Sequence, residues 1–319
     1  METYRRWLEK KGIALVIIIA PDKATIYPDL VPMYVNRVWP ETRLDQLTRR
    51  LQERRSKLVV VDPRQDLWAA REQGLLYHIY EDHWNDLGSF VGYSAVMRHI
   101  NEIIPTVRAL TLSNFIAGTT VKNWRIPPVI ETEPVIETEP VLKLKSSSSI
   151  QETEIIDGIR GQPITKTETR VGNLAKLLLY GDSFAIALTQ YFNQTFKSTI
   201  WVPSGNAFPV QLIKTYKPNL VVYELVERYL ALPVINPPIV TSDLMVDEAP
   251  SLSDALNQSH GVIGGYIDGV SNADSAVQFS GWAVDRVANA PANSSLHITA
   301  IASLLAPIRR ICAATSRRE

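Results

Sequence analysis

Leu174-Ala175-Lys176-Leu177-Leu178-Leu179-Tyr180-Gly181-Asp182-Ser183-Phe184 is the stretch that decides how this chain is read. The run from Leu174 to Tyr180 is apolar enough for a buried strand, and Phe184 to Phe196 reads as a helix. Between them, Gly181-Asp182-Ser183 forms a sharp strand-to-helix turn. Such a turn lifts a serine hydroxyl clear of the backbone and aims helix N–H groups at any anion that forms there, which is what acyl transfer needs. Ser183 is therefore a candidate nucleophile. A hydroxyl is inert at neutral pH without a base in hydrogen-bond reach, so the reading requires a histidine oriented by a carboxylate. Tyr80-Glu81-Asp82-His83-Trp84-Asn85 supplies one upstream.

Outward from these two segments, the first 120 or so residues alternate helix and strand. A helix from Thr3 to Lys11 turns at Gly12 into a β-branched strand, Ile13 to Ile19; helix Leu44 to Lys57 precedes strand Leu58 to Val61; helix Asp86 to Ile104 follows the histidine segment. This alternation argues for an α/β fold with a mainly parallel sheet covered on both faces. The basic residues Arg5, Arg6, Lys10 and Lys11 ahead of an apolar run imitate a secretory signal. Ala20-Pro21-Asp22-Lys23 reads as a strand-end loop rather than a cleavage site, so the helix-then-strand reading is preferred.

Composition changes between Ile126 and Arg170, where Pro-Val-Ile-Glu-Thr-Glu occurs at 128–133 and again at 134–139, followed by Ser146 to Ser149. A repeat this short cannot build its own core, and the expectation is an exposed, partly extended insertion, either a tolerated surface expansion or a flap over the cleft. Order returns with Asn173 to Tyr180 and continues to strand Leu220 to Leu225. The domain organisation expected is a catalytic domain over 1–232 carrying the insertion at 126–170, a proline-containing acidic linker over 233–260, and a small β-rich module over 261–319. The tail Ser303 to Glu319 stops alternating, which leaves open that the module is incomplete.

The totals exclude several classes. Lys plus Arg and Asp plus Glu each number 33, so no net field holds the chain on nucleic acid or anionic lipid. Cys312 is the only cysteine, which excludes an intrachain disulfide or a thiolate metal cluster. The longest apolar run, Ile13 to Ala20, is far short of the roughly 20 residues that span a bilayer. The Gly-x-Gly-x-x-Gly and Walker patterns are absent, as are the His-x3-His zinc spacing and an EF-hand loop, so no cofactor and no metal are expected.

Of five histidines (78, 83, 99, 260 and 297), His83 is the best base, having a carboxylate at the right offset and a helix start behind it. In an extended segment residues i and i+2 point the same way, so Glu81 can lie beside the imidazole and fix its tautomer. Asp82 faces away unless the chain turns there. Asn85 or Asp86 suits the cap of the following helix. The serine-turn N–H is a natural oxyanion donor, and a second donor cannot be named.

Taken together, these blocks resemble a known family. Asp82-His83-Trp84-Asn85-Asp86-Leu87-Gly88 resembles the Asp-x-His-Trp-Asn-x-x-Gly block of the SGNH-hydrolase-like domain of the alginate O-acetyltransferases, the AlgX and AlgJ type. Leu177 to Phe184 resembles the nucleophile block of that family, and Gly12 to Asp29 its early strand and loop. The resemblance implies a three-layer SGNH-hydrolase-like fold over residues 1 to about 232, with Ser183 as nucleophile and His83 as base. The orienting aspartate of the family falls two before the histidine, where this chain has Glu81, and Asp82 is the alternative. The usual anchor or export signal and the first part of the domain are missing, which leaves open that Met1 is an internal start or the chain a fragment.

The activity implied is transfer of acetyl groups to hydroxyls of a bacterial exopolysaccharide through an acyl-serine. The alternatives are a carbohydrate acetylesterase and a catalytically inactive carbohydrate-binding scaffold. The partners implied are a polysaccharide substrate and a membrane-bound O-acyltransferase as acetyl donor, in the periplasm or otherwise outside the cytoplasm. Gly281-Trp282-Ala283-Val284-Asp285 resembles a strand of small β modules attached to bacterial carbohydrate-related enzymes, with Trp282 either stacked on sugar or in a core.

Overall fold

A computed structural model describes residues 1–35, 41–124, 135–146, 148–159, 161–204, 208–231, 263–273, 276–285 and 298–301. The chain divides into two compact units, Met1–Pro237 and Pro238–Glu319.

In chain order the first unit comprises α1 (Glu2–Lys10), β1 (Ala14–Ala20), α2 (Lys23–Ile26), α3 (Arg43–Glu53), β2 (Val59–Val61), α4 (Arg64–Ala70) and α5 (Asp86–Ile103). It continues with β3 (Phe115–Trp124), β4 (Val135–Leu144), β5 (Ile150–Ile159), β6 (Gln162–Thr169), β7 (Lys176–Gly181), α6 (Ser183–Thr195), β8 (Ser198–Pro203), α7 (Val210–Tyr216) and β9 (Leu220–Val226). Seven strands form one sheet in the order β2-β1-β9-β7-β8-β6-β5. The pairings from β2 to β8 are parallel, and β6 and β5 are added antiparallel at one edge. The architecture is thus α/β with a mainly parallel sheet.

Alternate residues of the central strands divide the core into two layers. Val16, Ile18, Leu177, Leu179, Leu220 and Val222 pack with Phe90, Tyr93, Phe184, Leu188 and Phe192 of α5 and α6. Across the sheet, Tyr180 stacks on Tyr223 and meets Phe208 edge-on, and Phe208 stacks on Tyr4 of α1. β1 and β9 are buried on both faces, which is why each reads as a nearly continuous apolar run, broken only by Glu224 in β9. Gly12, at φ +68°, releases the chain from α1 into β1.

The segment expected as an exposed insertion has regular structure instead. β3 and β4 pair antiparallel from Phe115–Leu144 to Trp124–Val135, and β5 and β6 form a second antiparallel pair. β6 then hydrogen-bonds to β8, so β5 and β6 extend the main sheet, while β3 and β4 form a separate two-stranded sheet. The reason is burial by the rest of the domain. Ile164, Thr167 and Thr169 are enclosed, Phe115 packs edge-on against Phe90 and Tyr191, and Asp86 Oδ2 accepts the Leu142 N–H at 2.9 Å. The first copy of the repeat and the expected linker over 233–260 lie outside the described residues.

The second unit contains β10 (Ile263–Ala273), β11 (Ala276–Asp285) and β12 (Ile298–Ile301) in one antiparallel sheet, β10-β11-β12. Gly281 to Asp285 lies on β11. The side chain of Trp282, His260, His297, Cys312 and the tail Ser303 to Glu319 are outside what the structure describes.

Candidate active site

The site is assembled at the carboxyl end of β7, where α6 begins one residue after Gly181. Asp182 is the cap of α6. Its Oδ1 accepts the Phe184 N–H and its Oδ2 accepts the Val226 N–H, each at 2.9 Å, so the turn is tied to both the helix and strand β9. Gly181 is required by close approach. A Cβ there would fall 2.7 Å from Ala185 Cβ and 2.8 Å from Glu224 Oε2. Ser183 is left exposed at the first position of a 13-residue helix, whose N-terminal end carries partial positive charge.

The histidine arrives on a loop that has little regular structure of its own. Tyr77 and Trp84 form an isolated antiparallel bridge; His78 N–H donates to His83 O at 3.1 Å and Asn85 N–H to Leu76 O at 2.9 Å. Inside this loop the carbonyls of His78, Ile79 and Glu81 all accept from Lys23 Nζ, at 2.6, 2.7 and 3.2 Å. One ammonium from the β1–α2 corner thus collects three carbonyls of the loop. On the other side, His78 Nδ1 pairs with the buried Glu139 of β4. Asn85 caps α5 through Gly88 N–H at 3.0 Å.

Trp84 joins the two segments. Its indole N–H donates to Phe184 O at 3.0 Å, and its ring meets the Phe184 ring edge-on at 5.5 Å. Gly92 leaves room for that indole, since a Cβ there would lie 2.8 Å from it. His83 Nε2 stands 2.6 Å from Ser183 Oγ, while Nδ1 is hydrogen-bonded to Glu81 Oε1. The structure therefore brings Ser183, His83 and Glu81 into one chain of contacts. It puts Asp82 elsewhere, largely exposed, with Oδ2 3.7 Å from Arg228 Nη2.

Arg228 follows β9 and lies over the Phe184 ring at 5.3 Å, with Nη1 donating to Asp22 Oδ1 at 2.6 Å. Burial pushes the Asp22 carboxyl above its usual range, against the opposing pull of Arg228. Glu227 Oε2 holds the same corner through Asp22 N–H and the Thr25 hydroxyl. Sequence reasoning missed Lys23, Arg228 and the second bond of Asp182. Lys23 carried one signal, a cation in the loop after a buried strand. Among the described residues no group of three or more His, Cys, Asp and Glu side chains is arranged to hold a metal ion.

Residues 1–124 match the family model described as the SGNH hydrolase-like domain of the acetyltransferase AlgX. The match takes in the histidine loop and ends with β3, ahead of the serine turn. No curated protein matches the sequence. Among solved structures, Bacillus cereus PatB1 with a sulfonyl adduct is similar at a TM-score of 0.58 and 15% identity, over 71% of this chain and 86% of that one. A DHHW family protein from Eubacterium siraeum gives a TM-score of 0.51 at 15% identity, over 76% and 89%. The O-acetyltransferase domain of Pseudomonas putida AlgJ gives 0.48 at 16% identity, over 78% and 87%. The chain thus shares its fold with PatB1 and the DHHW family protein, and the resemblance read from its sequence is matched by the family model over residues 1–124.

Proposed function

We propose that this protein transfers acetyl groups to hydroxyls of a bacterial exopolysaccharide through an acyl-Ser183 intermediate. The observation that carries the reading is the 2.6 Å approach of His83 Nε2 to Ser183 Oγ. His83 takes the serine proton as Oγ attacks the acyl carbonyl, and Glu81 on Nδ1 holds the tautomer and stabilises the imidazolium that forms. The negative charge on the carbonyl oxygen develops at the positive end of α6. Collapse of the tetrahedral adduct expels the donor oxygen, which takes the proton from His83. A sugar hydroxyl, deprotonated in turn by His83, then attacks the acyl-serine and carries the acetyl group away.

The family match to acetyltransferases supports transfer over hydrolysis, because only the final acceptor differs between the two. In this reading the reaction takes place outside the cytoplasm, with a membrane-bound O-acyltransferase as acetyl donor. Among the described residues no helix is long and apolar enough to cross a membrane. Residues 1–232 carry the chemistry in this reading, 233–260 link, and 261–319 form a small β-rich module.

The test is turnover of an aryl acetate with and without candidate glycans, measuring acetylated glycan against free acetate. Ser183→Ala is expected to lower turnover by at least about 10³-fold. Acetate alone in the presence of every glycan would make the protein an esterase. Turnover unaffected by Ser183→Ala would refute the acyl-serine, and a folded protein with no turnover at all would favour the binding scaffold.

A further inference from the structure

β9 is apolar except for one side chain, and that side chain reaches under the serine turn. Glu224 is fully buried and pairs in register with Ile18 of β1. Its Oε2 accepts the Asp182 N–H at 3.1 Å, while Oε1 is enclosed and has no hydrogen-bond partner. The carboxyl fills the space that a side chain on residue 181 would need, with Glu224 Cβ 2.9 Å and Oε2 2.8 Å from the position of that missing Cβ.

An orphaned, buried carboxylate oxygen beside a second carboxylate is costly, and the cost disappears if one proton is present. Asp182 cannot be the group that gives way, because both of its oxygens already accept backbone N–H groups. Burial first, and then the charge of Asp182, hold Glu224 well above the usual carboxylate range. The backbone N–H groups of Asp182 and Ala185 offset this only in part. Ala185 faces it from α6, and Tyr223, next along β9, points to the opposite face of the sheet with Tyr180 and Tyr4. Burial raises both Tyr223 and Tyr4, Tyr4 to about 12, so these phenols stay neutral.

We propose that Glu224 is a positioning residue for the nucleophile turn and works only as a neutral acid, accepting from the Asp182 N–H and sharing its proton with the Asp182 carboxylate. Ionisation as pH rises places two negative charges beneath Ser183 and releases the turn. The inference deepens the acyl-serine reading and rests on it for the kinetic part alone.

Wild type, Glu224→Gln and Glu224→Ala are compared by thermal unfolding from about pH 5 to pH 9 and by rate of labelling with a fluorophosphonate. The folded-state value of Glu224 lies above the unfolded 4.5, so the native state keeps a proton that the unfolded state loses. Its stabilising effect is complete at low pH. As pH rises above the unfolded value, the folding constant of wild type relative to Glu224→Gln falls by up to about tenfold per pH unit, until the folded value is reached. Glutamine, an amide that never ionises, keeps the labelling rate at neutral pH and extends it to higher pH. Alanine slows labelling by about 10- to 100-fold, because the turn loses its brace.

A difference in Tm between wild type and Glu224→Gln that does not change with pH overturns the proposal, as does labelling of Glu224→Ala at the wild-type rate. If Glu224→Gln does not fold, the infrared spectrum of wild type at neutral pH decides: a buried protonated carboxyl band supports the proposal, and its absence overturns it. If no variant is labelled, the acyl-serine reading fails, while the thermal and infrared results still judge Glu224.

Discussion

The serine turn and the histidine loop reach the same point by different means. Ser183 stands between a central strand and a 13-residue helix, and its neighbours are fixed by backbone bonds to Asp182 and by the packing of Gly181 against Glu224 and Ala185. His83 stands on a loop whose carbonyls are gathered by Lys23 and whose flank is held by His78 on Glu139. The nucleophile is placed by secondary structure and the base by side chains. Two such parts keep hydrogen-bond distance only if something rigid couples them, and Trp84 does so by packing on Phe184 and donating to its carbonyl. Loss of the coupling should therefore cost both regions, while loss of a brace on one side should cost geometry without cost to the core.

The largest effect is expected from Trp84→Ala, which removes a fully buried indole and the bond between the two segments. About 3–5 kcal/mol of stability should be lost, read as a shift of the denaturation midpoint, together with all turnover. A variant that folds normally and turns over would break the comparison. Glu81→Ala leaves both regions in place and removes only the partner of Nδ1, so it should slow aryl acetate hydrolysis by about 10³-fold with little change in Tm. Lys23→Met keeps the aliphatic stem and strips the ammonium from three carbonyls. It should lower turnover by about 10- to 100-fold through a displaced His83, and activity should fall well before stability does. Asp82→Ala should have the smallest effect, within about threefold, since its contact with Arg228 is long and exposed. Equal losses for Glu81→Ala and Asp82→Ala would show that the orienting acid has been misassigned.

The regular half of this comparison was the legible half. Strand β7, the Gly-Asp-Ser turn and α6 follow from local pattern, because a buried parallel strand must be continuously apolar and a helix start needs a cap. The pairing of Glu81 with His83 was readable from their spacing, although residues 79–83 lie in bends and not in the extended segment expected. The braces were not. Lys23 acts on carbonyls more than fifty residues away, and nothing in Pro21-Asp22-Lys23 states which carbonyls those are. Glu224 had a visible mark, a carboxylate inside the run Leu220 to Val226, but its meaning depends on which strand lies next to β9. The composition of the repeat describes what the segment lacks alone, whereas Glu139 at its end is buried and pairs with His78 of the histidine loop.

The central claim, that imidazole and hydroxyl act as one unit, is tested most directly by treating wild type and His83→Ala with phenylmethylsulfonyl fluoride and locating the adduct by peptide mass mapping. The account predicts one sulfonyl group per chain, on Ser183, and labelling slowed by about 10³-fold without the imidazole. Labelling of Ser183 at an unchanged rate in His83→Ala, or an adduct on another residue, would contradict it.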